Sequence, residues 1–130
     1  GTVITIGKAR NIGIQNPFQK TGEAVADILL QNCAAVTSGS YERGFFSGGE
    51  RYHHIVDPRS GKPSRSGLAS VTLIGENAAE LDALSTGVFI LGAEGSLPML
   101  QRNGIEAFFI SDTGIVQITP GLRARFTMYV

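Results

Sequence analysis

Residues 77–92, NAAELDALSTGVFILG, decide how the rest of the chain is organised. They read as a helix with a defined start. Asn77 is a good N-cap, and Glu80 stands three residues on, as a capping box requires. Leu81, Leu84, Val88 and Leu91 recur at helical spacing and form an apolar stripe. Gly92 predicts the C-terminal stop. Asp82, Ser85 and Thr86 fall at i, i+3 and i+4, so their oxygens share one face. A carboxylate and two hydroxyls suit a hard cation such as Mg²⁺. The same spacing also describes a helix surface whose hydroxyls bond back to helix carbonyls.

Upstream, Leu68–Gly75 is a β-branched strand feeding this helix, and downstream a second helix is expected over Glu94–Arg102, ending at Asn103-Gly104. Glu106–Ser111 and Ile115–Thr119 then flank Asp112-Thr113-Gly114 as a hairpin. Near the start, Thr2–Ile6 and Asn11–Gln15 alternate like strands, and Gly7-Lys8-Ala9-Arg10 reads as a hairpin-like connection. Glu23–Val36 fits either period and is read as strand, broken at Gln31-Asn32, with Ala34–Thr37 a short buried strand. Ser38-Gly39-Ser40 reads as a turn. Tyr41–Phe46 and Arg51–Val56 form a hairpin around Ser47-Gly48-Gly49-Glu50, followed by the tight loop Asp57–Pro63. The tail from Gly121 is apolar enough to pack or to add a strand. Strands, helices, then strands indicate an α+β domain, a largely antiparallel sheet with two helices.

The chain has 130 residues, 42% of them apolar, the size of a single domain or part of one. Eleven Lys and Arg balance eleven Asp and Glu, which argues against nucleic acid or an anionic membrane as partner. The lone cysteine, Cys33, lies in the apolar run LLQNCAAV and is expected to be a buried thiol. No signal peptide or membrane-spanning run stands out.

Three further stretches carry polar chemistry. Thr37-Ser38-Gly39-Ser40 offers hydroxyls beside a glycine, a combination that suits phosphate as well as a plain turn. In Tyr52-His53-His54-Ile55-Val56, neighbouring side chains of a strand point to opposite faces, so the two histidines are not expected to chelate one metal. One of them, facing a pocket, has the pKa range for acid, base or phosphate-donor work. In the loop Asp57-Pro58-Arg59-Ser60-Gly61-Lys62-Pro63, Asp57 stabilises the turn, while Arg59 and Lys62 are available to an anion.

Taken together and in this order, TSGSYER, HHIVDPRSGKP and LDALST resemble the ApbE family, the FAD:protein FMN transferases, with NIGIQNP and GIEAFFISDTGIVQITPG similar to its flanking segments. The resemblance covers nearly the whole chain and corresponds to the C-terminal half of such proteins. It implies splitting of FAD at its pyrophosphate, release of AMP, and a phosphoester between FMN and a Thr or Ser hydroxyl of an acceptor flavoprotein subunit. It implies Mg²⁺ on Asp82 and Thr86, while Ser85 stands where members often carry alanine and is not counted as a ligand. It implies His54 as the catalytic histidine and a backbone contact to FAD at Val56, with Thr37, Ser38 and Gly39 also cofactor-binding. Family members are more than twice as long, and their N-terminal half supplies much of the flavin pocket, a carbonyl metal ligand and a lysine. An efficient site is therefore expected to need that half as well. A cell-envelope or periplasmic location is implied, with membrane association only through a segment outside these residues. The alternatives are a non-transferring FAD-binding module and an FAD pyrophosphatase giving FMN and AMP.

Overall fold

The computed structural model describes residues 2–18, 23–39, 44–47, 50–53 and 67–128, the segments 44–47 and 50–53 by backbone alone. In chain order the strands are β1 (Thr2–Ile4), β2 (Arg10–Gln15), β3 (Ala24–Leu30), β4 (Ala34–Gly39), β5 (Gly44–Ser47), β6 (Glu50–His53) and β7 (Leu68–Gly75). Helix α1 (Ala78–Arg102) follows, then β8 (Glu106–Ser111), β9 (Val116–Ile118), a 3₁₀ turn (Pro120–Leu122) and β10 (Phe126–Met128). A five-stranded sheet runs β1-β4-β7-β8-β9, a three-stranded sheet β10-β3-β2, and β5 pairs with β6. Every described pairing is antiparallel, so the α+β expectation holds.

The five-stranded sheet is covered on both faces. On one face α1 packs Leu81, Val88, Phe89 and Leu100 against Val36, Val71, Leu73 and Phe109. On the other, the three-stranded sheet brings Ile14, Ala26, Ile28 and Leu30 against Ala35, Ile74, Phe108 and Ile110. Burial on both faces explains why β7 reads LASVTLIG with no charge: residues 68–74 are all buried. Each large apolar side chain enclosed this way contributes about 1.5–3 kcal/mol.

The start of α1 is as expected: the Asn77 side chain accepts from the Glu80 amide at 3.1 Å. The end at Asn103-Gly104 also holds. Asn103 Nδ2 donates to the Met99 carbonyl at 2.7 Å, and Gly104 takes φ 65. Between these ends the expectation of two helices is corrected to one helical element of 25 residues. Gly92 has φ 79 and ψ 175, outside helical space, but the chain turns at this one residue and resumes without a connecting loop. Leu91 lies off the buried stripe and is 48% exposed, while Phe89, one turn after Ser85, is buried. By length and composition α1 would also pass for a membrane span, a feature the sequence reading did not see. Here its inner face lies on the sheet.

Three more expectations change. Residues 2–4 and 10–15 do not pair with each other: β1 pairs with β4 in one sheet and β2 with β3 in the other. The segment after Gly7 crosses between layers, held by the Gly7 amide donating to Asn32 Oδ1 at 2.8 Å. The reading of Glu23–Val36 as strand broken at Gln31-Asn32 holds: it is β3 and β4, with the turn at Asn32, φ 53. Ser38 and Gly39 are not a turn; they continue β4, opposite Val71 and Ser70. Cys33 is half-buried rather than enclosed, because it sits at the turn before β4. The tail does add a strand, β10, beside β3.

Candidate functional site

The polar residues of interest gather where β4 and β7 pass beneath the first half of α1. Strand alternation divides them between two faces. Ser38 shares its face of the sheet with Ala34 and Val36, toward the helix. Its hydroxyl donates to Ser85 Oγ at 3.2 Å, and Ser85 Oγ in turn donates to the Asp82 backbone carbonyl at 2.7 Å. Ser38 is 1% and Ser85 0% exposed. This chain of hydrogen bonds ties β4 to the second turn of the helix and gives Ser85 an interior role.

Asp82 and Thr86, four residues apart, lie along one flank of the same helix; Asp82 is exposed and Thr86 half-buried. They present a carboxylate and a hydroxyl at the rim of the helix layer. This donor chemistry suits Mg²⁺, which takes one or two carboxylates and completes its shell with water and substrate phosphate. Among the described residues no three His, Cys, Asp or Glu side chains come together.

Thr37 and Gly39 lie on the opposite face of β4. Thr37 Oγ1 is 2.8 Å from Thr72 Oγ1 of β7. Thr37 also borders a cleft of about 380 Å³ between the two sheets, which is lined by Thr2 and Val3 of β1, Ile12, Gly13 and Gln15 of β2, and Ala35 of β4. A Cβ at Gly39 would sit 3.6 Å from the Ala69 carbonyl, an ordinary contact, so neighbouring atoms do not demand glycine there. The structure thus brings Ser38, Ser85 and Asp82 together and puts Thr37 and Gly39 on the other side of the sheet. His54 and Val56 lie outside the described residues, as do Arg59 and Lys62. Their backbone lead-in, β6, ends at His53 opposite Gly44.

Two polar residues on β7 were not singled out from the sequence. Thr72 is the hydroxyl partner of Thr37, and Ser70 Oγ is buried with no hydrogen-bond partner among the described residues. The signal was present: in an apolar strand, Ser70 and Thr72 stand at i and i+2, hence on one face.

The fold defines a class: an α+β domain in which one long helix, with Asp82 and Thr86 on its flank, covers a five-stranded antiparallel sheet. The sequence model of the ApbE family matches residues 1–109, and the chain belongs to that family. It is 36% identical over 126 residues to the FAD:protein FMN transferase of Treponema pallidum, covering 91% of this chain, and 37% identical over 128 residues to that of Klebsiella pneumoniae, covering 98%. It spans 35% and 40% of the length of those two relatives. Among solved structures, the ApbE protein of Thermotoga maritima superposes with TM-score 0.78 at 32% identity, covering 90% of this chain and 38% of that one. The apo flavinyl transferase ApbE of Pseudomonas stutzeri superposes with TM-score 0.74 at 32% identity, over all of this chain and 42% of that one.

Proposed function

We propose that these residues form part of an Mg²⁺-dependent FAD:protein FMN transferase. The observation that carries this reading is similarity to enzymes of that name along almost the whole chain. In the reaction, the oxygen of an acceptor Thr or Ser hydroxyl attacks the FMN phosphorus of FAD. The P–O bond to AMP breaks, AMP leaves, and the hydroxyl proton passes to a base, the role given to His54. Asp82 and Thr86 would hold Mg²⁺, and when bound the ion offsets the charge of the pyrophosphate. Ser38 anchors the strand that carries Thr37 and Gly39, and Val56 contributes a backbone contact to the cofactor. The acceptor is a flavoprotein subunit. The residues of the longer protein outside this chain complete the pocket, and a segment among them would hold it at the cell envelope.

The test uses the full-length protein that contains these residues, FAD, Mg²⁺ and an acceptor with an exposed threonine. The expected result is a covalently fluorescent acceptor with stoichiometric AMP. Asp82→Ala abolishes the tightening of FAD binding by Mg²⁺, and His54→Ala keeps binding while turnover is lost. Turnover surviving in His54→Ala overturns the base assignment. FAD consumed without labelling of any acceptor indicates a pyrophosphatase, and binding without consumption a binding module.

A further inference from the structure

Where the second half of α1 meets the start of β8 and the 3₁₀ turn, a cavity of about 400 Å³ opens. Leu97, Ile105 and Pro120 give it apolar lining, and Glu106 places a half-buried carboxylate in it. Two features position that carboxylate. The Thr119 hydroxyl, 7% exposed, accepts from the Ala107 amide at 2.9 Å and donates its own proton to Glu106 Oε2. Gly121 has no side chain, and a Cβ there would overlap the carboxylate, so the glycine leaves the room that the carboxylate occupies. One oxygen is thus engaged. Among the described residues Oε1 has no hydrogen-bond partner, and no Lys or Arg pairs with Glu106. Partial burial without a cation leaves an unbalanced charge in the cavity.

We propose that this cavity receives a lysine side chain of a protein partner, with its ammonium on Glu106 Oε1 and its four-carbon stem against Leu97, Ile105 and Pro120. The match is one of charge and shape. Lysine carries a single charge at the end of an apolar stem, the complement of one carboxylate in an apolar cavity. Gln101, in the same lining, carries an amide oxygen for a second ammonium proton. Arginine fits less well, because its fork pairs best with two free carboxylate oxygens and Thr119 holds one of them. A polyamine brings further charges along its stem, and the apolar wall gives them no partner. None of these residues belongs to the proposed transfer site, so the pairing stands or falls apart from that reading.

Saturation-transfer NMR with the full-length protein that contains these residues tests this. The probes are acetylated, amidated tripeptides with lysine, norleucine or arginine between two alanines, and spermidine. Norleucine keeps the apolar stem of lysine and lacks its ammonium. The lysine peptide is expected to bind saturably, at about millimolar concentration, and the norleucine peptide about tenfold more weakly or worse. Glu106→Gln weakens lysine binding by a similar factor. Gly121→Ala, which keeps the charge but displaces the carboxylate, does the same. Asp112→Asn, which removes an exposed carboxylate beyond the other end of β8, leaves binding unchanged. A thermal melt establishes that each variant is folded, and Glu106→Gln, which still accepts from Thr119, carries the test should Gly121→Ala fail to fold. No saturable binding, equal affinity for the norleucine peptide, or lysine binding indifferent to Glu106→Gln overturns the proposal. Equal weakening by Asp112→Asn reduces the effect to overall charge and overturns it too. Tighter binding of the arginine peptide or of spermidine, lost in Glu106→Gln, assigns the cavity to that ligand and overturns the lysine occupant.

Discussion

Replacing Ser85 by alanine should cost more than replacing Ser38, although the two hydroxyls share one hydrogen bond. Ser38 donates to Ser85, and Ser85 donates onward to the Asp82 carbonyl. Ser38→Ala removes a donor and leaves Ser85 still donating, so the loss is that of one neutral hydrogen bond, about 1 kcal/mol or less. Ser85→Ala leaves the Ser38 hydroxyl without its acceptor at 1% exposure. Stranding a buried donor costs about 1–3 kcal/mol, offset by the better helix propensity of alanine, for a net loss of about 1.5 kcal/mol. The Asp82 carbonyl keeps its ladder partner four residues on. In the double variant both polar groups are gone, and the cost should fall below that of Ser85→Ala alone. Urea denaturation reads this directly: about 1.5 kcal/mol shifts the midpoint by roughly 0.5–1.5 M for slopes of about 1–3 kcal/mol/M. With Asp82 and Thr86 as the proposed Mg²⁺ ligands, the Mg²⁺ concentration giving half-maximal turnover should stay where it is, because Ser85 faces the strand. Ser38→Ala proving the more damaging change, or a double variant as unstable as the sum of the two, would refute the donor order read here.

Gly92→Ala tests the kink. At φ 79 and ψ 175 a Cβ is strained, so a loss of about 1–3 kcal/mol in thermal or chemical denaturation is expected. Asn77→Ala removes the acceptor for the Glu80 amide and should cost about 1 kcal/mol in the same assay. Gly121→Ala would push a methyl group into the Glu106 carboxylate, which receives a hydrogen bond from Thr119 Oγ1. The flexible Glu106 can swing aside, so the expected cost is that one bond, about 1–2 kcal/mol, and Glu106→Gln combined with Gly121→Ala should add little further.

What could be read in advance follows from how local each determinant is. The Asn77 cap, the stop at Asn103-Gly104 and the β7 strand are set by residues within a turn or two of one another. The pairing of β1 was not legible because its partner, β4, lies some thirty residues away, while Gly7-Lys8-Ala9-Arg10 imitates a hairpin turn. Ser38-Gly39 reads as a turn by composition; the pairing with β7 keeps it extended, and no local feature announces that. Gly92 marked a real break in helical geometry, but the residue alone could not say whether the chain leaves or resumes. Resumption depends on Ser96, Leu100 and the sheet beneath them. At the candidate site, Asp82 and Thr86 were legible as a face. The split of Thr37 and Gly39 from Ser38 required knowing that residues 37–39 are strand.

The first half of α1 assigns different work to different directions around its axis. Inward, Leu81, Ser85, Val88 and Phe89 hold the helix to β4 and β7. On one flank, Asp82 and Thr86 offer oxygen donors. Outward, Ala79, Ala83 and Gly87 present a small apolar row. At 100° per residue these directions interleave along the chain, so damage in a substitution scan over residues 79–89 should recur with helical period in more than one assay. Stability should fall with changes at 81, 85, 88 and 89, and Mg²⁺ dependence with changes at 82 and 86. A helix serving merely as a core element would show the first periodicity alone, its outer positions tolerating any residue of good helix propensity. Absence of the second periodicity would overturn the proposed metal-binding role of Asp82 and Thr86 while leaving the fold untouched, so each assay judges one direction of the helix independently of the others.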